Sequence, residues 1–405
     1  MKHQQLGHLH MARVQQLAHD GIFGPSYKSI GACDPPLCQA CLLGKQHKRE
    51  TTPSTAQGSI DISHLNPGMC VSGDQLESST PGLVPTYQGS PTTYQYRAGT
   101  LFVNHASHYL YFTPHLSTGA QEAIAAKHRF ELHAMSFHRT IQCYHTDNGV
   151  FRTKLFRDSC SIRGQGTCFS GVNAHHQNGI AERYIHTITE RARTMLIHTM
   201  INWPNIVHEN LWPYALCHAV AVHNATPGVS RLSPEETFSG TKHSSRLSDF
   251  HTFGCPIFVF NPNLQQGNKT PKWKPRSLQG VYLGPSPDHA SSVPLVLSTQ
   301  TGLVSPQYHV VFDDNFSTIH CLQEDKIPTH WPTLFIELAT FYIDEDFNNT
   351  NFYITPPIQN PPSPPTLSTN QREESSPLSP LQREPSNDTN LPESLPQREP
   401  SHDLH

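Results

Sequence analysis

The stretch from Tyr144 to Arg193 constrains this chain most. The β-type run Thr140 to Tyr144 predicts a strand, and Asp147-Asn148-Gly149 follows directly at its C-terminal end. Glu182 stands 35 positions later, on the first turn of a strongly helix-patterned segment that begins at Gly179. In that segment Ile180, Tyr184, Ile188, Met195 and Leu196 recur on or near one face. One carboxylate at a strand end and another on a helix can hold a hard divalent cation over a phosphodiester, because such ions take oxygen ligands and use few protein carboxylates. Asp-Asn-Gly is also an ordinary turn sequence, so the triplet leaves both readings open.

Charge is divided along the chain. Residues 1–312 hold 24 Lys and Arg against 17 Asp and Glu, a net of +7, and residues 313–405 carry −11, which gives −4 overall. A mildly basic body suits a polyanionic partner. The ten cysteines are scattered, and only Cys38 and Cys41 form a tight pair. With no apolar N-terminal segment and no apolar run near the ~20 residues of a membrane helix, the expectation is an intracellular protein with reduced thiols.

Residues 1–50 read as a small zinc-binding module. His3 and His8, with the Cys38-x-x-Cys41 knuckle, supply two imidazoles and two thiolates, the donor set that tetrahedral Zn²⁺ favours. His10 and Cys33 are rival ligands. So short a segment buries little core alone, and a metal supplies folding energy. Residues 51–67, rich in Ser, Thr, Gly and Pro, read as a linker.

Residues 68–230 read as an α/β catalytic core. Met69 to Leu76 predicts a strand carrying Asp74, with Glu77 as its nearby rival. Pro81 to Tyr96 reads as loop, Thr100–Val103 and Tyr109–Thr113 as a hairpin, and Ser117 as the N-cap of a helix to about Met135. Phe151–Asp158 predicts a short helix, and Leu211–His223 another that stops before Pro227. The Gly164-Gln165-Gly166 triplet lacks the remaining glycine and the βαβ setting of a dinucleotide fingerprint. Arg183, Arg191 and Arg193 read as exposed: either phosphate contacts beside Glu182 or a solvated helix face.

Residues 231–316 read as a β-rich module, with short strands at Phe250–Phe260, Gly280–Leu283, Val293–Leu297 and Tyr308–Phe312. Between the first two lies Lys269-Thr-Pro-Lys272-Trp273-Lys274-Pro-Arg276. Cations around a tryptophan, stiffened by two prolines, suit a DNA backbone, and a solvated loop is the other reading. Residues 317–405 are low-complexity, acidic and rich in Pro and Ser; Gln382-Arg-Glu-Pro-Ser386 recurs at Gln397. Such sequence buries no core and is expected to be mostly disordered.

The order of these motifs resembles the integrase region of copia-type long-terminal-repeat retrotransposon polyproteins, over roughly residues 1–316. The resemblance is carried by His3-Gln-Gln-Leu-Gly-His8, Cys38-Gln-Ala-Cys41-Leu-Leu-Gly-Lys45, Asp74, Asp147-Asn-Gly, Asn178-Gly-Ile-Ala-Glu182-Arg183, Phe253-Gly-Cys-Pro256, Lys274-Pro-Arg276, Tyr282-Leu-Gly284 and Val310-Val-Phe-Asp-Asp314. It implies an RNase H-like mixed sheet flanked by helices and an Asp74–Asp147–Glu182 triad binding two Mg²⁺ or Mn²⁺. It also implies Zn²⁺ on His3, His8, Cys38 and Cys41. The implied reaction is transesterification joining element DNA ends to target DNA. DNA and further copies of the chain are the expected partners, no membrane is, and the nucleus is the expected location, with virus-like particles beside it.

Departures from the family pattern are Lys2 for an aromatic residue, Asn104 for Asp, His108 for Arg, and an Asp147–Glu182 interval one residue short of the usual. The implied piece is an integrase and the start of a linker within a longer polyprotein. The alternative is a catalytically silent nucleic-acid-binding remnant of a mobile element. An RNase H-type nuclease is weaker, since it needs neither the zinc module nor the β-rich one.

Overall fold

A computed structural model describes residues 1–47, 64–85, 92–169, 179–204, 206–228, 230–242, 247–265, 269, 271–290 and 292–319. All of them lie in one compact unit, Met1–Asp344. Most of the linker, Asn178 and residues 320–405 of the expected tail fall outside the described residues.

The first sheet has five strands: β1 (Cys70–Leu83), β2 (Gln95–Asn104), β3 (Leu110–His115), β4 (Cys143–Thr146) and β5 (Gly166–Phe169), in the order β3-β2-β1-β4-β5. β1, β2 and β3 run antiparallel, whereas β4 and β5 run parallel to β1. This is a mixed sheet flanked by helices, as the motif order implies. Alternation along β2 splits the core in two. Phe102 faces one way, among Val71, Phe130, Tyr144 and Phe156, beneath α4 (Ala120–Ser136) and α5 (Lys154–Ile162). Leu101 and Val103 face the other way, toward α6 (Gly179–Asn202) and α7 (Trp212–Ala225).

Several boundaries differ from the sequence reading. β1 continues to Leu83, and β2 begins at Gln95, so the expected loop is shorter at both ends. β4 starts three residues later and ends two later than the run Thr140–Tyr144, because pairing with β1 selects Cys143–Thr146. Gly119, and not Ser117, occupies the N-cap of α4. β5 has no counterpart in the sequence reading. Only four residues long, it forms because β4 offers it an edge, with Cys143 opposite Gly166.

Local chemistry sets the helix ends. Thr153 caps α5 by accepting from the Phe156 N–H at 3.4 Å. Pro213 stands in the first turn of α7, where its missing N–H is harmless. Ser233 and Glu236 form a reciprocal capping box on α8 (Pro234–Ser239), which ends at Gly240 with φ 77°. Asn224 of α7 accepts from the Leu110 N–H at 2.9 Å and donates to its carbonyl at 2.8 Å, which fastens α7 to edge strand β3.

The N-terminal segment forms α1 (Lys2–Gln5), α2 (Met11–His19) and α3 (Gln39–Gly44). Its apolar residues are not left to themselves. Leu6, Leu9, Val14 and Leu17 pack with Val222, Ala225, Leu247 and Phe250. α3 lies on α6, and a Cβ on Gly44 would come within 2.6 Å of the Thr194 hydroxyl oxygen, so only glycine permits that approach.

The second sheet is antiparallel throughout: β6 (Pro256–Phe260), β7 (Ser277–Pro285), β8 (Pro294–Ser298), β9 (Val304–Pro306) and β10 (Val310–Phe312), in the order β10-β6-β7-β8-β9. Its Val281, Leu283, Leu295 and Leu297 join the α6/α7 core. Asp314 anchors it further, accepting from the Thr252 N–H at 2.6 Å and from Gln5 Nε2 at 2.9 Å. No helix among the described residues is long and apolar enough to cross a membrane.

Candidate active site and metal centre

β1 and β4 are in parallel register from Cys70 opposite Cys143 to Gly73 opposite Thr146. Asp74 and Asp147 are the next residue on each, so they leave neighbouring chain segments at equivalent points. Glu182 stands on the first turn of α6, which packs against β1. Asp74 and Glu182 line one open hollow of 330 Å³ with Gln75, His186, Glu190 and Arg193. Asp74 and Asp147 are half-buried, and Glu182 is exposed.

The electrostatics bind the three together. Burial pushes the Asp74 carboxyl up to about 7, and the charges of Asp147 and Glu182 push the same way, against the Gln75 N–H that donates to Oδ1 at 2.8 Å. Three acids converging on one place repel each other, and a cation relieves that repulsion. The donor set is all oxygen, which fits Mg²⁺ or Mn²⁺. The three carboxylates do not form one of the ligand sets whose atoms all lie within 4.8 Å of one another. Glu77, the rival to Asp74, is exposed and three positions along the strand, and so on the opposite face.

His3, His8, Cys38 and Cys41 do form such a tight set. His8 Nδ1 lies 3.2 Å from His3 Nε2 and 3.4 Å from Cys38 Sγ. Cys41 Sγ lies 3.3 Å from His3 Nε2 and 3.7 Å from His8 Nδ1. Tetrahedral zinc at its usual bond lengths puts donors about 3.3–3.8 Å apart, so the four atoms fit that ion. The Leu9 carbonyl, 2.7 Å from His3 Nδ1, orients the ring from behind. Burial lowers His3 to about 4 and His8 to about 2, which keeps both rings neutral as ligands require, and burial raises the Cys41 thiol to about 11. His10 and Cys33 stand outside the set, and both are exposed.

The basic residues divide. Arg183 and Arg193 are exposed on α6. Arg191, expected to be exposed, is half-buried: one terminal guanidinium nitrogen is buried with no hydrogen-bond partner among the described residues, and burial lowers its pKa. Trp273 is 91% exposed, with Lys272 Nζ 5.5 Å from its ring centroid. Lys274 and Arg276 are exposed beside it, and Arg276 lies 5.7 Å from the Phe260 ring. An indole so exposed, among three cations, is available to a partner. Asn104, where the family shows Asp, is buried and accepts from Ser107 Oγ at 2.9 Å and Ser107 N–H at 3.0 Å, shaping the β2–β3 turn. Its amide nitrogen also donates to the Cys70 carbonyl at 3.4 Å, a bond an aspartate could not make.

Sequence reasoning missed a buried ionic knot. Glu131 Oε1 accepts from Lys127 Nζ at 2.9 Å, Tyr144 OH at 2.9 Å and Gln165 Nε2 at 2.7 Å, and Arg163 pairs with Oε2. Lys127 and Glu131 are four apart on α4, a spacing that was legible, but nothing local marks them as buried.

The chain is 25% identical over 285 residues, 70% of its length, to the retrovirus-related Pol polyprotein from transposon TNT 1-94 of Nicotiana tabacum. The match spans 19% of that relative. Among solved structures, the magnesium complex of the HTLV-2 integrase catalytic core domain aligns with 43% of this chain and 98% of its own, at 19% identity and a TM-score of 0.30. The simian T-cell lymphotropic virus intasome in complex with PP2A regulatory subunit B56 gamma aligns with 75% of this chain and 98% of its own, at 18% identity and a TM-score of 0.35. No protein-family profile matches the chain.

Proposed function

We propose that this chain, which is related to the integrase region of copia-type retrotransposon Pol polyproteins, joins element DNA ends to target DNA by metal-dependent transesterification. The observation that carries the reading is geometric: Asp74 and Asp147 follow the last paired positions of neighbouring parallel strands, and Glu182 lines the same hollow as Asp74 from the first turn of α6. Three acids brought from distant points of the sequence to one end of the sheet suit a cation-dependent reaction.

The residues fit the group they would hold. Asp74 and Asp147 would be shared ligands of two Mg²⁺ or Mn²⁺, and Glu182 would complete the second site. Ions bound there supply charge that activates an attacking oxygen and stabilises a leaving one. The chain's own part is positioning. β1 and β4 set two carboxylates by backbone register, α6 brings the third, and the hollow leaves room for a phosphodiester. In the reaction a 3′-hydroxyl oxygen of element DNA bonds to a target phosphorus, and the bond from that phosphorus to its own 3′-oxygen breaks. Arg183 and the Lys272–Trp273–Lys274–Arg276 patch would hold backbone phosphates. Zn²⁺ on His3, His8, Cys38 and Cys41 would be structural. A homo-oligomer, a nuclear location and a stay within virus-like particles belong to the same proposal, as do the domain limits 1–50, 68–230 and 231–316.

The test is strand transfer with purified protein, Mg²⁺ or Mn²⁺, and short duplexes that end in the element's own termini. Joined products support the reading. Sequence-independent DNA binding with no joining in either metal supports the silent remnant instead, whose exposed tryptophan–cation patch needs no carboxylate.

A further inference from the structure

A second group of metal-ligating side chains lies apart from the His3, His8, Cys38, Cys41 set, farther along the hollow that Asp74 and Glu182 line. It joins His47, just past the zinc knuckle, to His186 and Glu190 of α6, and the three donor atoms all lie within 4.8 Å of one another. His47 Nε2 lies 2.6 Å from Glu190 Oε1, and His186 Nδ1 lies 3.8 Å from Glu190 Oε2. The two imidazole rings are 5.2 Å apart between centroids and tilted by 32°. His186 and Glu190 are one helical turn apart, so α6 itself presents two donors on one face. His47 comes from a segment held against α6 through α3.

We propose that His47, His186 and Glu190 form a second transition-metal site that takes Zn²⁺ or another borderline divalent cation and ties the exit of the N-terminal module to α6. Two imidazoles and one carboxylate are a set that holds zinc with a further position left to water. The Glu190 carboxylate is the shielded anchor, with its side chain 16% exposed, whereas the rings are 55% and 63% exposed and can turn toward an ion. Imidazole selects against Mg²⁺, so this site and the all-oxygen triad sort different metals. Neighbouring cations do not occupy it: Lys45 Nζ donates to the His8 carbonyl at 2.5 Å, and Arg193 donates to the Gly44 carbonyl at 3.3 Å. Glu182 and Asp74 line the same hollow as His186 and Glu190 and favour a cation nearby. A bare His47–Glu190 ion pair, with its imidazole largely solvated, gives His186 no part.

Metal-free full-length protein, titrated with Co²⁺ in excess Mg²⁺ to keep the carboxylate triad filled, tests the assignment. The expected result is two equivalents. One carries the thiolate-to-metal charge-transfer band of the His3, His8, Cys38, Cys41 site, and the other lacks it. His47→Ala and His186→Ala, both at exposed positions, each weaken the second equivalent at least tenfold and leave the thiolate band unchanged. That band reports the fold of the module in the same sample. His138→Ala, at an exposed histidine elsewhere, changes neither. A parent that binds one equivalent overturns the proposal. So does a second equivalent that survives in both variants, which is then scattered binding to the chain's many histidines. Neither outcome bears on strand transfer, so this site stands or falls apart from the DNA-joining reading.

Discussion

Asp74 and Asp147 are 73 positions apart in the chain, yet each is the residue that follows the last paired position, Gly73 opposite Thr146, of two parallel neighbouring strands. Strands so paired run about 4.8 Å apart, and equivalent residues on them share a face. Backbone register therefore brings the two acids together before any side chain contributes.

Asp147→Asn keeps the shape of this pair and removes a charge. Strand transfer is expected to fall by several orders of magnitude, with DNA binding nearly unchanged because binding rests on the basic surface. Glu77→Gln, on the opposite face of β1, is expected to keep most activity. Equal loss in both variants, measured in the same assay, contradicts the assignment.

Cys41→Ser is expected to remove the tightly held zinc and make thermal stability insensitive to added zinc. In the parent, free zinc a hundredfold above its Kd stabilises the folded state by about 2.7 kcal/mol. Calorimetry with and without a chelator measures the difference.

Glu131→Ala leaves the fully buried Lys127 without its partner. Removal of one member of a buried pair costs about 3–5 kcal/mol, and urea denaturation should show a loss of that order.

His218 is fully buried, neither ring nitrogen has a hydrogen-bond partner among the described residues, and burial lowers its pKa to about 3. The folded protein keeps this ring neutral, while the unfolded chain takes up a proton near the ordinary value of about 6.5. Its effect is absent above that pH. Stability then falls as pH drops from about 6.5 to about 3, by up to about 1.4 kcal/mol per pH unit. His218→Met should be nearly neutral at pH 7 and flatten the acid limb of a stability–pH curve. An unchanged limb contradicts the account.

Lys274→Ala with Arg276→Ala should weaken binding alike across DNA sequences and reduce the slope of log affinity against log salt by about two. An unchanged slope, read by fluorescence anisotropy over a salt series, removes the patch from the interface.

Short-range chemistry was legible in the sequence alone. The donor types and spacing of His3, His8, Cys38 and Cys41, the acid at the end of a β-type run, and the helix that carries Glu182 each depend on neighbours within a few residues or on a ligand set with few chance equivalents. Tertiary structure decided the rest, because it depends on partners far away in the chain. Strand register put Asp74 beside Asp147, and strand alternation turned Glu77 away from them. The four-residue β5 exists because β4 presents it an edge. Packing of α6 against the core left Arg191 half-buried and Arg183 in solvent, and the seating of α3 on α6 brought His47 to His186 and Glu190. Periodicity states which residues share a face, but only the assembled neighbours determine what that face meets.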